Sequence, residues 1–487
     1  MKKISILTLF SALMFFTSCE KYLDVNTDPN NPQIVPIETI FPTAVASTAM
    51  VSGGFFVTIG SLWSQQFTQN NNSSQYRTID SYNVTPSTTP FNQIYTESFT
   101  NGLKNLNHII KEAEEANNWS VHLAATALFC YVVQNLVDVF DKIPYSEALQ
   151  GTGNFSPKFD NGQDIYPDLI VRLNNALDKD FTLLTNTNLG DNDFIFGGSV
   201  EGWQKFVNTL KLRLYLRQSK ANPSVANAGM LECLSSPIGF VTDAKMTVFT
   251  TAAGAMNPFF QTNISTNGLG IHNHRASNTM VNFLVDHGDP RLRFFYITGT
   301  NVATAIVGLD QGNFADVTTV GGGAASNGRW AATDPVYFFS APQVLFMIAE
   351  AKELTGGDGK ADYEAGVRAA FALAGTGFTT PFVLTAADAE TFIASGGPYE
   401  YPATTTADKI EAIITQKWVA ATMRTPIEAW LDHNRTGYPA FFTPSIASVL
   451  VPNTLLPKRF LFPQNEYNTN PNVPAQVPIS TPVWWAQ

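Results

Sequence analysis

Apolar positions recur at helical spacing along much of the chain. Ile94, Leu103, Leu106, Ile110 and Ala113 share one face, which predicts an amphipathic helix over residues 91–116. Residues 121–139 are apolar nearly all round, the pattern of a helix buried in the middle of a fold. The turn formers at Asn117-Asn118-Trp119 join the two as an antiparallel pair. Residues 164–184 predict a further amphipathic helix, with Leu169, Leu173, Ala176 and Leu177 inward. Ser199 is a plausible N-cap for a helix running to Arg217, whose stripe is Trp203, Phe206, Val207, Leu210 and Leu214. Lys205, Lys211, Arg213 and Arg217 lie mostly off that stripe and read as its solvated flanks. Residues 37–66 predict a helix broken or kinked at Gly53-Gly54. Helices return at 341–354, ended by Gly356-Gly357, and at 361–374, ended by Gly375. A last pair follows at 408–423, with Ile410, Ile414 and Trp418 in register, and at 426–434.

Between these segments the chain is polar. Asp28-Pro29-Asn30-Asn31-Pro32 is dense in turn formers. Residues 65–90, rich in Asn, Ser, Thr and Tyr, predict a long loop. Residues 240–335, dominated by Thr, Gly, Asn and Phe, predict loops and short strands around one short helix at 278–285. The 341–374 pair spans 34 residues, the size of one tetratricopeptide unit, although that repeat's Trp-Leu-Gly-Tyr positions are absent. No change of composition divides the chain. The expected fold is mainly α, with tetratricopeptide-like helix hairpins, long loops and a few short strands. It is expected to be a single domain over residues 19–487, in which 240–335 is a loop-rich insertion.

Composition changes this picture in one respect. Apolar residues make up 44%, enough to build a core, but charged residues only 14%, against roughly 25% in a typical soluble domain. With Lys+Arg 29 and Asp+Glu 40 the net charge is −11, so charge of both signs is scarce. Aromatics (Phe 36, Tyr 15, Trp 8), amides and hydroxyls take its place. A nucleic-acid binder is excluded, because it needs surplus Lys and Arg to meet phosphates. Disorder is excluded by the abundance of aromatic and branched apolar residues. A polytopic membrane protein is excluded because no stretch beyond the N-terminal segment runs about 18 residues without polar interruption.

That N-terminal segment carries Lys2 and Lys3, an apolar run at 4–16, then Thr17, Ser18 and Cys19. Residues 1–18 therefore read as a lipoprotein signal peptide, with Cys19 as the lipidated residue; a secreted protein with a chance Cys is the alternative. The usual lipobox has Leu, then Ala or Ser, then Gly or Ala before its Cys, so Phe16-Thr17-Ser18 is a looser version. Acyl chains such as palmitate, at about 0.8 kcal/mol per buried methylene, would anchor the protein to a membrane without spanning it. Cys130 and Cys233 each sit in an apolar run and read as small buried hydrophobes; a disulfide between them is the alternative.

Motifs that carry chemistry are near misses. His272-Asn273-His274 offers two metal ligands with nothing to complete the set, and reads as loop histidines. Gly197-Gly198-Ser199-Val200-Glu201 has Glu where a nucleophile elbow needs Gly. Gly356-Gly357-Asp358-Gly359-Lys360-Ala361 lacks both the first Gly and the final Ser or Thr of a phosphate loop. Asp191-Asn192-Asp193 and residues 286–289 could offer oxygens to a structural Ca²⁺, but lack the Gly and distal Glu of a calcium loop. Capping and turns account for them more simply. No catalytic residue, metal or cofactor is expected, and the protein reads as a binder rather than an enzyme. A surface glycoside hydrolase stays open as an alternative, since its carboxylate pair can be far apart in sequence.

The remaining chemistry suits a neutral polar ligand. A sugar packs its C–H face on an aromatic ring and pairs its hydroxyls with amides. Trp63, Tyr76 and Tyr82 are interleaved with Gln65, Gln66, Gln69, the run Asn70-Asn71-Asn72 and Asn83, and Trp330 closes a Gly-rich loop. The candidate ligand residues are Trp63, Gln66, Asn72, Tyr76, Tyr82 and Trp330. The alternative for each ring is a plug that ties its loop to the helices. Trp203 and Trp418, at helical spacing, read as core.

Several segments resemble the SusD/RagB family of outer-membrane lipoproteins, and its second SusD-like branch in particular. They begin with Cys19-Glu20-Lys21-Tyr22-Leu23-Asp24-Val25-Asn26 and Asp138-Val139-Phe140-Asp141-Lys142-Ile143-Pro144-Tyr145-Ser146-Glu147-Ala148-Leu149. Residues 193–197 follow, leading to Trp203-Gln204-Lys205-Phe206 and Leu210-Lys211-Leu212-Arg213-Leu214. Then come Asp289-Pro290-Arg291-Leu292, Ala349-Glu350-Ala351-Lys352, Gln416-Lys417-Trp418, Arg435-Thr436-Gly437-Tyr438-Pro439 and Pro482-Val483-Trp484-Trp485. Each is weak alone; their order behind a lipobox is specific, and 240–335 matches least. The resemblance implies helix hairpins with ligand loops on one side. It also implies a lipid-anchored, surface-facing outer-membrane protein that captures oligosaccharides, or peptides in some members. Such a protein hands its ligand to a SusC-type TonB-dependent transporter, over which it sits as a lid. The shared motifs are structural and assign no ligand residue.

Overall fold

The computed structural model describes residues 35–298, 305–315, 325–377 and 383–487. The expected signal peptide and Cys19 lie outside the described residues. Helix α1 (Ile37–Met50) passes through a π-helical turn at Val51–Phe55 into α2 (Phe56–Trp63). The Gly53-Gly54 kink is therefore one widened turn in a continuous helix. Gly53 is needed there because a Cβ would run into the Val336 side chain. The expected helix at 91–116 is divided in the same way: α3 (Thr89–Glu97), a π-turn at Ser98–Leu103, and α4 (Lys104–Glu115). Helix α5 (Trp119–Phe140) is the central one, buried at every residue from Val121 to Phe140 and capped by Asn118, which accepts from Val121 N.

Helices α6 (Gly162–Leu177) and α7 (Val200–Arg217) pack on α5, and Ser199 caps α7 by accepting from Gly202 N at 3.1 Å. Helix α8 (Pro223–Ser235) was not evident from hydrophobic pattern. Its buried positions Ala226, Gly229, Met230 and Cys233 have helical spacing, but small residues carry most of the stripe. Gly229 lies under the Tyr215 ring, where a Cβ has no room. Beyond α9 (Asn278–Asp286), α10 (Ala341–Leu354) pairs with α11 (Lys360–Gly375) and packs on α12 (Thr406–Ala420). Helix α13 (Pro426–Thr436) returns to α2, and Gly437 ends it with φ +82°. The mainly α fold of helix hairpins is thus as the pattern predicted.

The strands are short. They are β1 (Phe67–Gln69), β2 (Lys142–Pro144), β3 (Phe159–Asn161), β4 (Ala244–Met246), β5 (His274–Ala276), β6 (Tyr296–Ile297), β7 (Asn327–Gly328) and β8 (Val336–Phe339). One antiparallel sheet has the order β1-β5-β7-β6, with Phe67 opposite Ala276; β2–β3 and β4–β8 are separate pairs. A larger apolar core forms around α1–α8, and a second around α9–α12 and the four-stranded sheet. The continuous helix Ile37–Trp63 and α5 are apolar and long enough to cross a membrane, yet their most apolar windows are 67% and 100% buried inside the protein. Cys130 and Cys233 are both buried and free.

One reading of the cations was wrong. Lys211, Arg213 and Arg217 are buried, not solvated flanks. Arg217, 2% exposed, bonds Asp138 at 3.0 Å, Glu428 at 2.6 Å and Asp432 at 3.5 Å. Arg213 meets Glu428 at 3.3 Å, Gln134 at 3.0 Å and Asn135 at 3.1 Å. Lys417 holds Asp432 at 2.7 Å, and Arg435 joins Asp432 to Glu350 at 3.1 and 2.6 Å. Burial pushes the Asp432 carboxyl up, but Lys417, Arg435 and Arg217 outweigh it and hold it well below the usual carboxylate range. A charge off the apolar stripe can face another helix as well as water, and the stripe alone does not tell which.

Candidate ligand-binding cleft

The π-turn that widens the first helix also opens a surface. Gly54, Phe55 and Thr58 form the floor of a cleft of about 910 Å³, the upper end of the range for ligand sites. Residues 75–93 make one wall and residues 261–269 the other. The two polar stretches of the sequence therefore meet here. All twenty lining residues are uncharged, and they include six Thr, three Asn and three Gln.

The first wall is not a free loop. The Gln69 side chain organises it, accepting from Tyr76 N at 2.8 Å and donating to Asn70 O at 2.9 Å and Ser73 Oγ at 2.7 Å. Asn70 N donates to Asn273 O at 2.7 Å, which ties the Asn run to β5. Beneath lies Asp80, which accepts from Thr68 Oγ1, Gln69 N, Gln311 Nε2 and Gly312 N at 3.0–3.3 Å. All four donors are uncharged, so burial dominates and pushes the carboxyl up to about 6. Tyr76 crosses to the other wall, where its hydroxyl donates to Asn263 Oδ1 at 2.6 Å; burial raises that hydroxyl to about 12.

The second wall starts at Asn257, whose side chain caps the short helix Pro258–Asn263 by accepting from Phe259 N and Phe260 N. Its turn needs glycine at 268, where a Cβ would run into the carbonyls of Gln261 and Thr262. Thr262 and Asn267 stand exposed on this wall, with Gln75, Asn83, Thr85 and Gln93 opposite. These donors and acceptors face a space without carboxylate, imidazole or ammonium. The arrangement of these described residues can hold hydroxyl groups.

Of the six residues proposed from sequence, Tyr76 alone lines this cleft. Trp63 is 3% exposed and packs among Phe91, Trp430 and Phe460, with Nε1 donating to Ile79 O at 3.0 Å. Gln66 is buried and donates to Trp418 O at 2.8 Å. Tyr82 is buried, its hydroxyl accepting from Ser445 N at 3.1 Å. Asn72 is exposed in the turn that Asn70 Oδ1 closes, outside the lining. Trp330 is half-buried behind the second wall, its ring centroid 4.1 Å from that of Phe259 and tilted 34° to it. Trp203 and Trp418 are core as expected. Phe55, Gln75, Asn83, Gln93 and the 261–269 wall were missing from the proposed set. The paired glycines inside a helical pattern were the available signal, since widened turns accompany functional sites.

One residue from each of three near-miss motifs is tied into the scaffold. His274 lies on β5, not in a loop; it is buried, its Nε2 sits 2.9 Å from Thr58 O, and burial lowers it to about 4. Among the described residues no group of three or more His, Cys, Asp or Glu could hold a metal. Asp193 is buried and accepts from Trp203 Nε1 at 2.7 Å, and Asp289 is paired with Arg291 at 2.6 Å. A separate groove of about 330 Å³ between α4, α5 and α6 is charged, lined by Glu114, Asp178, Arg172 and Lys179.

The chain matches the SusD-like family described as starch-binding and associating with the outer membrane, over residues 36–463. No curated protein matches it by sequence. Among solved structures it is similar to a chitin-binding SusD homolog from Flavobacterium johnsoniae, at 20% identity and a TM-score of 0.76, covering 93% of this chain and 98% of that one. A SusD homolog from Bacteroides uniformis has 21% identity and a TM-score of 0.74, with 92% and 99% covered. A SusD/RagB family protein from Bacteroides thetaiotaomicron has 22% identity and a TM-score of 0.74, with 93% and 99% covered. At these identities the likeness is one of fold.

Proposed function

The chain belongs to the SusD-like family of starch-binding proteins that associate with the outer membrane, and from that premise we propose that it is a non-catalytic glycan-capture lipoprotein. In this reading Cys19 carries the lipid anchor, the protein faces outward from the cell, and a SusC-type TonB-dependent transporter receives the oligosaccharide. The observation that carries it is the large cleft with an entirely uncharged, hydroxyl- and amide-rich lining. Neutral sugars present hydroxyls that both donate and accept, as Asn, Gln and Thr do. A similar structure is that of a chitin-binding protein, which supports the same ligand class. Hydrolysis is disfavoured because the cleft offers no carboxylate pair.

Calorimetric titration with neutral oligosaccharides tests the reading, covering α- and β-glucans, mannans, xylans and N-acetylglucosamine polymers. Binding without hydrolysis is expected for at least one. A protein that binds none of them, or that cleaves its ligand, overturns it. The anchor has its own test: Cys19→Ser should move the protein from the membrane fraction to the soluble one. Peptide capture is the second reading, favoured by the charged groove at Glu114, Asp178, Arg172 and Lys179. Peptide binding that Arg172→Ala abolishes would install it instead.

A further inference from the structure

The first cleft does not end where its lining ends. Helix α3 has its first turn, Thr89 and Pro90, and then Gln93 on the cleft. Its other end borders a second depression of about 240 Å³, where Thr96 and Thr100 line the near side. Thr89, Gln93 and Thr96 are four and three residues apart, so they share a face of the helix, and Thr100 continues the row through the π-turn. All four are exposed. At 1.5 Å per residue, Thr89 and Thr96 are roughly 10 Å apart along the axis, the reach of a short run of sugar units rather than of one ring. Between the two depressions, Gln464 N and Asn92 Nδ2 both bond Pro86 O, at 3.0 and 2.7 Å, which ties the segment that carries Glu466 to the first wall.

The second depression has what the first lacks. Phe155 stands on its rim, 78% exposed, and offers a free aromatic face to whatever enters. Phe99 and Tyr95 pack at 4.6 Å on its inner side. Tyr95 is 5% exposed, and its hydroxyl completes no hydrogen bond of ordinary geometry, although the Glu466 carboxyl is close enough to act on it. The Tyr95 hydroxyl and the Glu466 carboxyl thus face each other at the floor of an open depression, and the carboxyl has further lone pairs to offer a ligand hydroxyl. At 240 Å³ the space is below the usual range for a complete small-molecule site and is the size of a subsite.

We propose that the depression lined by Tyr95, Phe99, Phe155 and Glu466 is an extension subsite. It takes further units of the same neutral glycan chain that fills the first cleft, guided along the Thr89–Gln93–Thr96–Thr100 row. The inference rests on the glycan reading above. Phe155 supplies a stacking face, and Tyr95 and Glu466 supply polar partners for ring hydroxyls. The protein would then favour long chains over short ones.

Titrating malto-oligosaccharides and chito-oligosaccharides of two to seven units separates the possibilities. The expected result in one series is an affinity that keeps rising with length, by about tenfold beyond the oligomer that fills the first cleft. Phe155→Ala should remove most of that rise. Thr96→Lys, which puts a bulky charge on the connecting row, should do the same. Both positions are exposed, so thermal unfolding should be unchanged. An affinity that stops rising at three units overturns the extension subsite, as does wild-type affinity of both variants for the seven-unit oligomer. If neither series binds the intact protein at any length and no β-glucan, mannan or xylan oligomer does, the glycan reading beneath the proposal fails as well, which is a separate and recognisable outcome.

Discussion

The buried ion network and the ligand cleft lie in the same chain and follow opposite rules. The network at Asp138, Arg213, Arg217, Glu428 and Asp432 concentrates charge where water is absent. The cleft has no charge where water is present. A chain with only 14% charged residues has thus placed several of them at the junction of α5, α7, α12 and α13, where each must be paired. The difference teaches how to read this chain. Charge marks the joints of the scaffold, and the main cleft is marked by its absence.

Removing one member of the network should give the largest effect. Arg217→Ala leaves Asp138, Glu428 and Asp432 facing one another in the interior without their shared cation. Breaking a buried pair from one side costs about 3–5 kcal/mol. Urea denaturation should show a loss of that order, while any folded fraction keeps its glycan affinity. A loss under 1 kcal/mol would mean that water reaches the junction.

Asp80 sharpens the comparison, because it is buried like the network yet has only neutral donors like the cleft. Its carboxyl is raised to about 6, above the roughly 3.9 of an unfolded chain. The folded state therefore favours the protonated form. The stability linked to it is fully present below about pH 4 and is lost as pH rises through 6. Asp80→Asn has no such proton to lose. The stability difference between variant and parent should move in the variant's favour by about 2 kcal/mol from pH 4 to pH 7. Asp138, Glu428 and Asp432 titrate in both proteins and cancel in that difference. A difference independent of pH would show that Asp80 ionises as it does in water.

These two regions also explain what was legible in the sequence. The helices were, because α5 and α7 announce themselves by apolar spacing; α8 did not, because small residues carry its stripe. The segments that carry the family resemblance were legible for a physical reason. Asp138, Glu350, Lys417 and Arg435 belong to the network, and Asp193 and Asp289 to equally buried pairings. Such residues depend on specific buried partners and form recognisable strings. The cleft has no such constraint. Its hydroxyls and amides sit on two stretches nearly 170 residues apart, and no local pattern says that residues 75–93 and 261–269 face each other. Ring size alone did not separate cleft from core, since Tyr76 lines the cleft. Trp63 and Tyr82 are large enough to anchor the chain to the core, and they do.

The smallest effect belongs to the cleft itself. Gln93 and Asn83 are exposed, so replacing either with Ala should leave stability within about 0.5 kcal/mol of the parent. A neutral hydrogen bond to ligand has a net value of about 0.5–1.5 kcal/mol, so each variant should bind oligosaccharide up to roughly tenfold more weakly. The sharper measurement is against salt. Exposed charges lose most of their attraction between 50 and 500 mM salt, as the screening length falls below about 5 Å. A cleft without charge has nothing to screen, so the calorimetric affinity of parent and variants alike should stay flat across that range. A steep fall with salt would place the ligand in the charged groove between α4, α5 and α6, and the absence of charge would then no longer mark the ligand surface.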